Sequence, residues 1–350
     1  MKKPFIILGI ESSCDETAAA IVRDDKRVLA NEVASQIEAH NAHGGVVPEV
    51  AARAHLDVID DVIKRALATA GLDLDDIDAV AATGGPGLIG GVLVGTVTAK
   101  AIAIAKDIPY FAVNHLEGHA LSGRLSDDLS FPYLLLLVSG GHTQLLAVLG
   151  PGQYQRYGTT MDDAAGEAFD KGAKIMGLGY PGGPAIEALA RNGDPKAIAL
   201  PRPLRGADHC HFSFSGLKTA IAQRYVQLGA ENAPLADLAA ALQAAIADCL
   251  ADRSAKAMAR FADAFGPGTL VIAGGVAANK TVFSTVENAA NRAGFKISVP
   301  PGYLCTDNAA MIAWAAMERR STPDPLDFAP RPRWPLDPDA LPPPGRGVRA

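Results

Sequence analysis

Two histidines lie four residues apart in the segment NHLEGHA, at His115 and His119. Residues with this spacing share one face of a helix, so both imidazoles can reach one metal ion. Glu117 lies midway between them and would point away from that face, unlike the glutamate of the HExxH signature. The segment therefore predicts a metal site and disfavours a thermolysin-like protease, and a pair of solvated or capping histidines is the alternative.

A carboxylate that could complete such a site is Asp307, in CTDNAAMIAWAAMERR. Two histidines and one carboxylate leave coordination positions open on Fe(II) or a similar divalent ion. The alternative is that Asp307 only caps the apolar helix that follows it. A second cluster of ligand types, at His209, Cys210 and His211, consists of adjacent residues that rarely converge on one ion, so we interpret it as a structural loop.

A different kind of site is suggested by YLLLLVSGGHTQLLAVL, residues 133–149, which has the pattern strand, turn, strand. Gly140 and Gly141 allow positive φ, and successive amides in such a turn can cradle an anion. An ordinary glycine-turned hairpin is the alternative interpretation.

Two acids, Asp15 and Glu16, occupy the turn of an earlier hairpin. They could orient a reacting group or accept a proton, and solvated turn carboxylates are the alternative. Asp170, in DDAAGEAFDK, is at a helical position from which it could face a ligand hydroxyl.

The elements that must position these residues occur in duplicate. FIILGIESSCDETAAAIV resembles the later hairpin in its order of apolar strand, polar turn, threonine and apolar strand. A strand, a double glycine and a helix then follow in each half, at 78–105 and at 270–293. Such glycine turns bind anions and nucleotides in open α/β sheets. We therefore predict an α/β fold of two similar lobes with a nucleotide cleft between them.

The predicted domains are an N-terminal lobe at 1–126 and a C-terminal lobe at 127–325, which carries a helical insertion at 162–265. Residues 326–350 are proline-rich and predict an extended tail. The net charge of −6 provides no general attraction to nucleic acid, so any such binding needs a local basic patch or a partner. No secretion signal, membrane span or cysteine framework is evident, and we expect a cytoplasmic protein without a membrane.

Eleven motifs in order resemble those of the bacterial TsaD family, the tRNA N6-adenosine threonylcarbamoyltransferases. They are ESSCDET, GGVVPE, TGGPGL, NHLEGH, LLVSGGHTQ, DDAAGEAFDK, YPGGP, FSFSGLKT, GGVAAN, CTDNAAMIA and RPRWPL. The resemblance implies a fold similar to that of actin, Hsp70 and sugar kinases. One departure from the family pattern is Asn114, where a histidine often precedes the metal pair.

Carried over residue by residue, the resemblance implies that His115, His119 and Asp307 hold one divalent metal ion, Fe(II) with Zn as the alternative. It also implies a set of residues in contact with the nucleotide-linked substrate: Leu137, Val138, Ser139, Gly140, Gly141, Asp170, Gly183 and Asn279.

The implied reaction moves a threonylcarbamoyl group from threonylcarbamoyl-AMP to N6 of the adenosine next to the anticodon of tRNA, with release of AMP. Asp15 or Glu16 is our candidate for the proton step. The implied partners are tRNA, an inactive paralogue subunit, an ATPase subunit and a separate synthase that supplies the adenylate. Rival hypotheses are an ATP-dependent kinase or ATPase, a metalloprotease, and a non-catalytic nucleotide-binding scaffold.

Overall fold

The computed structural model describes residues 3–36, 47–229 and 233–343, which form two compact units. The first unit contains the described residues up to Asp128 together with Thr306–Pro338, and the second contains Leu129–Cys305 with the described residues after Pro338. Each unit is built around one five-stranded sheet.

The two sheets have the same topology, which confirms the predicted duplication. The strands of the first are β1 (Ile6–Glu11), β2 (Glu16–Arg23), β3 (Val28–Ser35), β4 (Ala79–Gly85) and β5 (Tyr110–Asn114), in the order β3-β2-β1-β4-β5. Those of the second are β6 (Tyr133–Val138), β7 (Thr143–Gly150), β8 (Gln153–Thr159), β9 (Thr269–Ala273) and β10 (Lys296–Ser298), in the order β10-β9-β6-β7-β8. In each sheet three strands form an antiparallel meander, and two later strands add in parallel to its first strand.

The described helices follow the predicted pattern closely. They are α1 (Pro48–Ala70), α2 (Ile89–Lys106), α3 (His115–Ser126), α4 (Ala165–Ile175), α5 (Gly182–Ala190), α6 (Ser215–Gln227), α7 (Leu235–Phe265), α8 (Lys280–Arg292), α9 (Gly302–Cys305) and α10 (Ala309–Glu318). Helices α2 and α8 follow the double glycines of the predicted segments 78–105 and 270–293, and α2 ends one residue beyond the first of these segments. The helical insertion at 162–265 contains α4 to α7.

The predicted domain bounds differ from the structure at the C-terminal end. Helix α10, which we assigned to the second lobe, packs against β1 and α3 of the first unit. Gly9 of β1 permits this contact, because a Cβ there would come within 2.4 Å of the Ala309 carbonyl oxygen. Helix α10 is apolar on every side, so its sequence carried no indication of which sheet it covers.

Part of the described C-terminal segment, residues 324–334, is bound to the first unit. Asp324 pairs with Tyr110 of β5, and Arg331 donates its backbone N–H to the Gly84 carbonyl at 2.7 Å. The rings of Phe328 and Trp334 lie 5.4 Å apart between their centroids. The tail therefore forms a strap along the ends of β4 and β5.

One described helix, α2, is long and apolar enough to cross a membrane by length and composition alone. Length and composition are weak evidence for a membrane span, since buried helices of a protein core meet the same criteria. One face of α2, which includes Val92, Ala99 and Ala103, is buried within the first unit.

Candidate metal centre and substrate-contact residues

The carboxyl ends of three neighbouring parallel strands, β1, β4 and β5, meet at one edge of the first sheet. Glu11 ends β1, Thr83 lies near the end of β4, and His115 follows β5 directly. This edge is where open α/β sheets place their ligands. The strand ends therefore bring together polar side chains that are far apart in the sequence.

His115 and His119 begin helix α3 and lie on one of its faces, as the spacing predicted. Asp307 lies beside them: its Oδ1 is 3.5 Å from His115 Nε2 and 3.1 Å from His119 Nε2. One ligand atom from each of the three residues lies within 4.8 Å of the others. The structure therefore assembles the three residues predicted to bind the metal.

Asp307 is not the helix cap that we considered as its alternative role. The cap of α10 is Asn308, whose Oδ1 accepts a hydrogen bond from the Met311 backbone N–H at 2.9 Å. Because the neighbouring residue satisfies the helix terminus, the Asp307 carboxylate is left to face the two imidazoles. The structure thus separates two roles that the sequence left open.

Glu11, for which the sequence motifs predicted no role, lies behind the first histidine of the cluster. Its Oε2 accepts a hydrogen bond from His115 Nδ1 at 2.9 Å, and it is 1% exposed. The backbone N–H of Ser13 and the hydroxyl of Thr83 also donate to this carboxylate, at 2.6 and 2.5 Å. A carboxylate behind a histidine in this way fixes the tautomer and the ring orientation of a metal ligand.

Charged neighbours shift the pKa values of the ionisable groups in this cluster. Burial alone would lower the pKa of His115, but the carboxylates of Asp307 and Glu11 raise it well above its ordinary value. Burial alone would raise the pKa values of Glu11 and Asp307, but His115 lowers both, with His119 contributing at Asp307. The site therefore favours a positive charge, from a proton or a cation, between His115 and Asp307.

The donor set fits a divalent metal ion. Two imidazole nitrogens and a carboxylate oxygen suit iron, zinc and similar ions. With Glu11 accepting from Nδ1, the Nε2 lone pair of His115 is available to a metal. His119 Nδ1 is buried and has no hydrogen-bond partner among the described residues. Its Nε2 is therefore the nitrogen that is directed at the site.

Asn114 connects the metal helix to the tail. Its Oδ1 accepts from the Leu116 backbone N–H at 2.9 Å, so it caps α3, and its Nδ2 donates to the Trp334 carbonyl at 2.8 Å. An asparagine can do both because it carries an acceptor and a donor. The residue that departs from the family pattern therefore has a positioning role in this chain.

Asp15 and Glu16 lie in the first unit, at the turn between β1 and β2, and Asp15 is buried. Burial and the carboxylates of Asp307 and Asp15 raise the pKa of Glu16 to about 9.

The glycine turn of the second unit is a closed hairpin turn between β6 and β7. The Ser139 backbone N–H donates to the His142 carbonyl at 2.9 Å, and the His142 N–H donates to Ser139 Oγ at 3.1 Å. Gly140 and Gly141 are exposed, and neither uses the positive φ that a glycine allows. The two hydrogen bonds between Ser139 and His142 close the turn without a residue at positive φ.

Positive φ is instead required at Gly274, in the GGVAAN turn, where φ is +98°. A Cβ at Gly274 would lie 2.3 Å from the Val138 carbonyl oxygen. This close approach joins the end of β9 to the end of β6. Glycine is therefore required by the backbone in the GGVAAN turn.

The remaining predicted contact residues of the second unit differ in what they can offer a ligand. The side chains of Leu137 and Val138 are fully buried, so only their backbone is available. Asp170 accepts from the Gly182 N–H at 2.7 Å, and Gly183 next to it has open space at its Cα. Asn279 caps α8 and donates to Gln243 Oε1 at 2.8 Å, so most of its hydrogen-bonding capacity is already used.

The chain matches one known family over most of its length. The family described as TsaD, tRNA N6-adenosine threonylcarbamoyltransferase, matches residues 27–314. Curated proteins named tRNA N6-adenosine threonylcarbamoyltransferase from Brucella suis (strain ATCC 23445 / NCTC 10510) and Brucella abortus (strain 2308) are 58% identical to this chain. Each alignment covers 98% of this chain and 98% of the relative.

Solved structures with low sequence identity share the fold. Component A of the (R)-2-hydroxyglutaryl-CoA dehydratase of Acidaminococcus fermentans has a TM-score of 0.53 at 16% identity, over 91% of this chain and 100% of that chain. Full-length HypF in its phosphate- and nucleotide-bound form has a TM-score of 0.58 at 12% identity, over 91% of this chain and 46% of that chain.

Proposed function

Because this chain belongs to the TsaD family and transfers a threonylcarbamoyl group to N6 of adenosine in tRNA, we propose which of its residues perform that reaction. The convergence of His115, His119 and Asp307 supports the proposal most directly. The donor is threonylcarbamoyl-AMP, the acceptor is the adenosine next to the anticodon, and AMP leaves.

The three converging residues hold one divalent ion, Fe(II) in our proposal, with Zn as the alternative. When bound, such an ion supplies Lewis-acid and template chemistry. Glu11 holds His115 in the tautomer whose Nε2 is free to bind the ion. Asn114 fixes the start of α3, and with it the position of the first histidine ligand.

The nucleotide part of the donor contacts Leu137, Val138, Ser139, Gly140, Gly141, Asp170, Gly183 and Asn279. In this proposal the leucine and the valine act through backbone groups only, because their side chains are buried. The open space at Gly140, Gly141 and Gly183 lets a ligand approach the backbone closely.

The adenine amine must lose a proton as it is acylated, and a positioned carboxylate can accept it. Asp15 and Glu16 are the proposed acceptors. Burial, Asp307 and Asp15 raise the pKa of Glu16, and a metal ion on Asp307 would offset one of these causes, so both acids remain candidates for the base. Transfer rates of Asp15→Asn and Glu16→Gln, measured at saturating substrates, distinguish them: only the variant of the base loses most of kcat.

The partners in this proposal are tRNA, an inactive paralogue subunit, an ATPase subunit and a separate adenylate synthase, in the cytoplasm. Helix α2 exposes an apolar stripe of four side chains at Ile89, Leu93, Val97 and Ile104, which are 47%, 43%, 59% and 66% exposed. A stripe of this kind on a helix favours docking of another protein surface. We assign the stripe to the paralogue subunit.

The test is incubation with threonylcarbamoyl-AMP and unmodified tRNA, with partner subunits present, followed by nucleoside analysis. His115→Ala and His119→Ala should each lose bound metal and most transfer, and the double variant should lose little more, because the ligands act as one unit. Ser126→Ala at the exposed end of the same helix is the control and should retain both. Full metal occupancy in the two alanine variants would contradict the ligand assignment.

A further inference from the structure

A polar cavity of about 340 Å³ lies in the second unit, apart from every residue assigned above. Its lining comes from Tyr157 of β8, from the loop that carries His209 and His211, and from Lys256 and Arg260 of α7. The volume is within the range of small-ligand sites, about 300–1,000 Å³, and most of the residues that line this cavity carry an ionisable side chain. The cavity therefore suits a polar or charged ligand.

A buried arginine holds the histidine loop in place. Arg253 of α7 is 2% exposed, and its Nη1 donates to the carbonyls of Ala207 and His209 at 2.8 and 2.6 Å. Burying a guanidinium is costly unless its donors are satisfied, and here they fix the loop backbone. These hydrogen bonds fix the conformation of the loop, which agrees with the structural role that the sequence predicted for it.

The two imidazoles of the loop are oriented by backbone donors. His209 Nδ1 accepts from the His211 N–H at 3.2 Å, and His211 Nδ1 accepts from the Thr159 N–H at 3.3 Å. Each neutral ring then carries its proton on Nε2. Neither Nε2 has a partner among the residues that the structure describes. Two N–H donors are therefore available in the cavity.

The cationic groups of the cavity lie on one face of α7. Lys256 and Arg260 follow Arg253 at spacings of three and seven residues, and the Arg260 guanidinium lies 4.2 Å from the centroid of the Tyr157 ring. Stacking on an aromatic ring holds a guanidinium in position and leaves its edge free for an anion.

Two acids, Asp208 and Asp263, also line the cavity and oppose anion binding. Asp208 pairs with Lys256 at 2.8 Å, but their side chains are 97% and 45% exposed. An ion pair this exposed contributes little stability, so an incoming anion can replace Asp208 at Lys256.

We propose that this cavity binds phosphate groups of the tRNA backbone. Asp208 and Asp263 balance the formal charge of Lys256 and Arg260, so the site would hold a phosphate through placed donors and not through a net positive field. Arg260, Lys256 and the two imidazole N–H groups provide donors that suit phosphate oxygens. The site contributes affinity without sequence specificity, since phosphates carry no sequence information.

The test measures binding of unmodified tRNA by the full chain, with its partner subunits, over a series of salt concentrations. Arg260→Ala should weaken binding on the order of tenfold near 0.1 M salt and reduce the slope of log K against log salt by about 1. Arg260→Lys retains the charge and should retain the slope. The double variant His209→Ala, His211→Ala should weaken binding with little change of slope, because neutral donors release no counterions.

The matched control is Arg292→Ala, an exposed arginine on α8 that does not line the cavity. In transfer assays Arg260→Ala should raise KM for tRNA and leave kcat unchanged, a result independent of the metal centre. Equal affinity and slope in the Arg260 and Arg292 variants would overturn the proposal. So would saturable binding of inorganic phosphate that is lost in Arg260→Ala while tRNA affinity stays at the wild-type value, because the site would then serve a free anion.

Discussion

At the scale of single residues, Asp307 and Asn308 are neighbours with separate roles. Asn308 satisfies the first turn of α10, and Asp307 provides the only negative charge in direct contact with both imidazole Nε2 atoms among the described residues. A substitution at one position should therefore leave the role of the other intact.

Asp307→Asn should lower metal affinity and transfer while the metal-free melting temperature changes little. The amide is a poorer ligand for a divalent ion, but its oxygen can still accept from His119 Nε2. Asn308→Ala should lower the free energy of unfolding by about 1 kcal/mol and leave metal binding normal. Metal titration and thermal melting of both variants check this pair. If Asp307→Asn binds metal as the wild type does, the third ligand lies elsewhere.

Glu11→Gln should weaken metal binding by about 10–100-fold. The glutamine NH₂ can face His115 Nδ1 only if that nitrogen accepts, which moves the ring proton to Nε2, the metal-binding atom. Metal titration measures the effect, and Glu49→Gln, at an exposed glutamate of α1, is the matched control. Unchanged metal affinity in Glu11→Gln would show that the carboxylate does not set the tautomer.

At the scale of elements, the glycine turns after β6 and β9 have different physical requirements. Gly274 needs a left-handed φ and the absence of a Cβ, whereas Gly140 has an ordinary φ and no atom within 4 Å of the position that a Cβ would occupy. One glycine is therefore needed for folding, and the other is free to serve a ligand.

Gly274→Ala should lower the free energy of unfolding by more than about 1 kcal/mol, from strain at φ and contact with Val138. Gly140→Val should leave the melting temperature near that of the wild type and weaken AMP binding, because the side chain blocks approach to the backbone. Calorimetry with AMP beside thermal melting measures both quantities. Wild-type AMP affinity in a folded Gly140→Val variant would remove this turn from the proposed nucleotide site.

At the scale of the whole molecule, the two units contain sheets of the same topology. The side chains at equivalent strand ends differ between the two units. The first unit has acids and imidazoles there, and the second has a serine and glycines. Helix α2 adds an exposed apolar stripe to the first unit, which we assign to a partner subunit.

Val97→Asp should weaken association with the purified paralogue subunit by tenfold or more, on the order expected when a carboxylate is placed in an apolar contact. Its melting temperature should not change, because Val97 is 59% exposed. Val226→Asp on α6, where the valine is 74% exposed, is the matched control. Sedimentation of the mixed subunits measures association, and equal association of the two variants would contradict the assignment.

The sequence alone determined which segments form helices and strands, and it placed His115 and His119 on one face of a helix. Helical and strand periodicity are local properties, and four-residue spacing on a helix brings side chains together without further information. The duplicated order of strand, turn and helix likewise predicted two units with one topology. These features needed no knowledge of contacts between distant residues.

Only the tertiary structure decided how the metal centre is supported. Glu11 and His115 are 104 residues apart, and His119 and Asp307 are 188 apart. Such pairs meet because parallel strands end at one edge of a sheet and because α10 returns to cover the first sheet. No periodic pattern in the sequence predicts which strands become neighbours or which sheet α10 covers, since an apolar helix fits any apolar surface of suitable shape. The roles of Asp307, Asn308 and Glu11 therefore became distinguishable only in the folded chain.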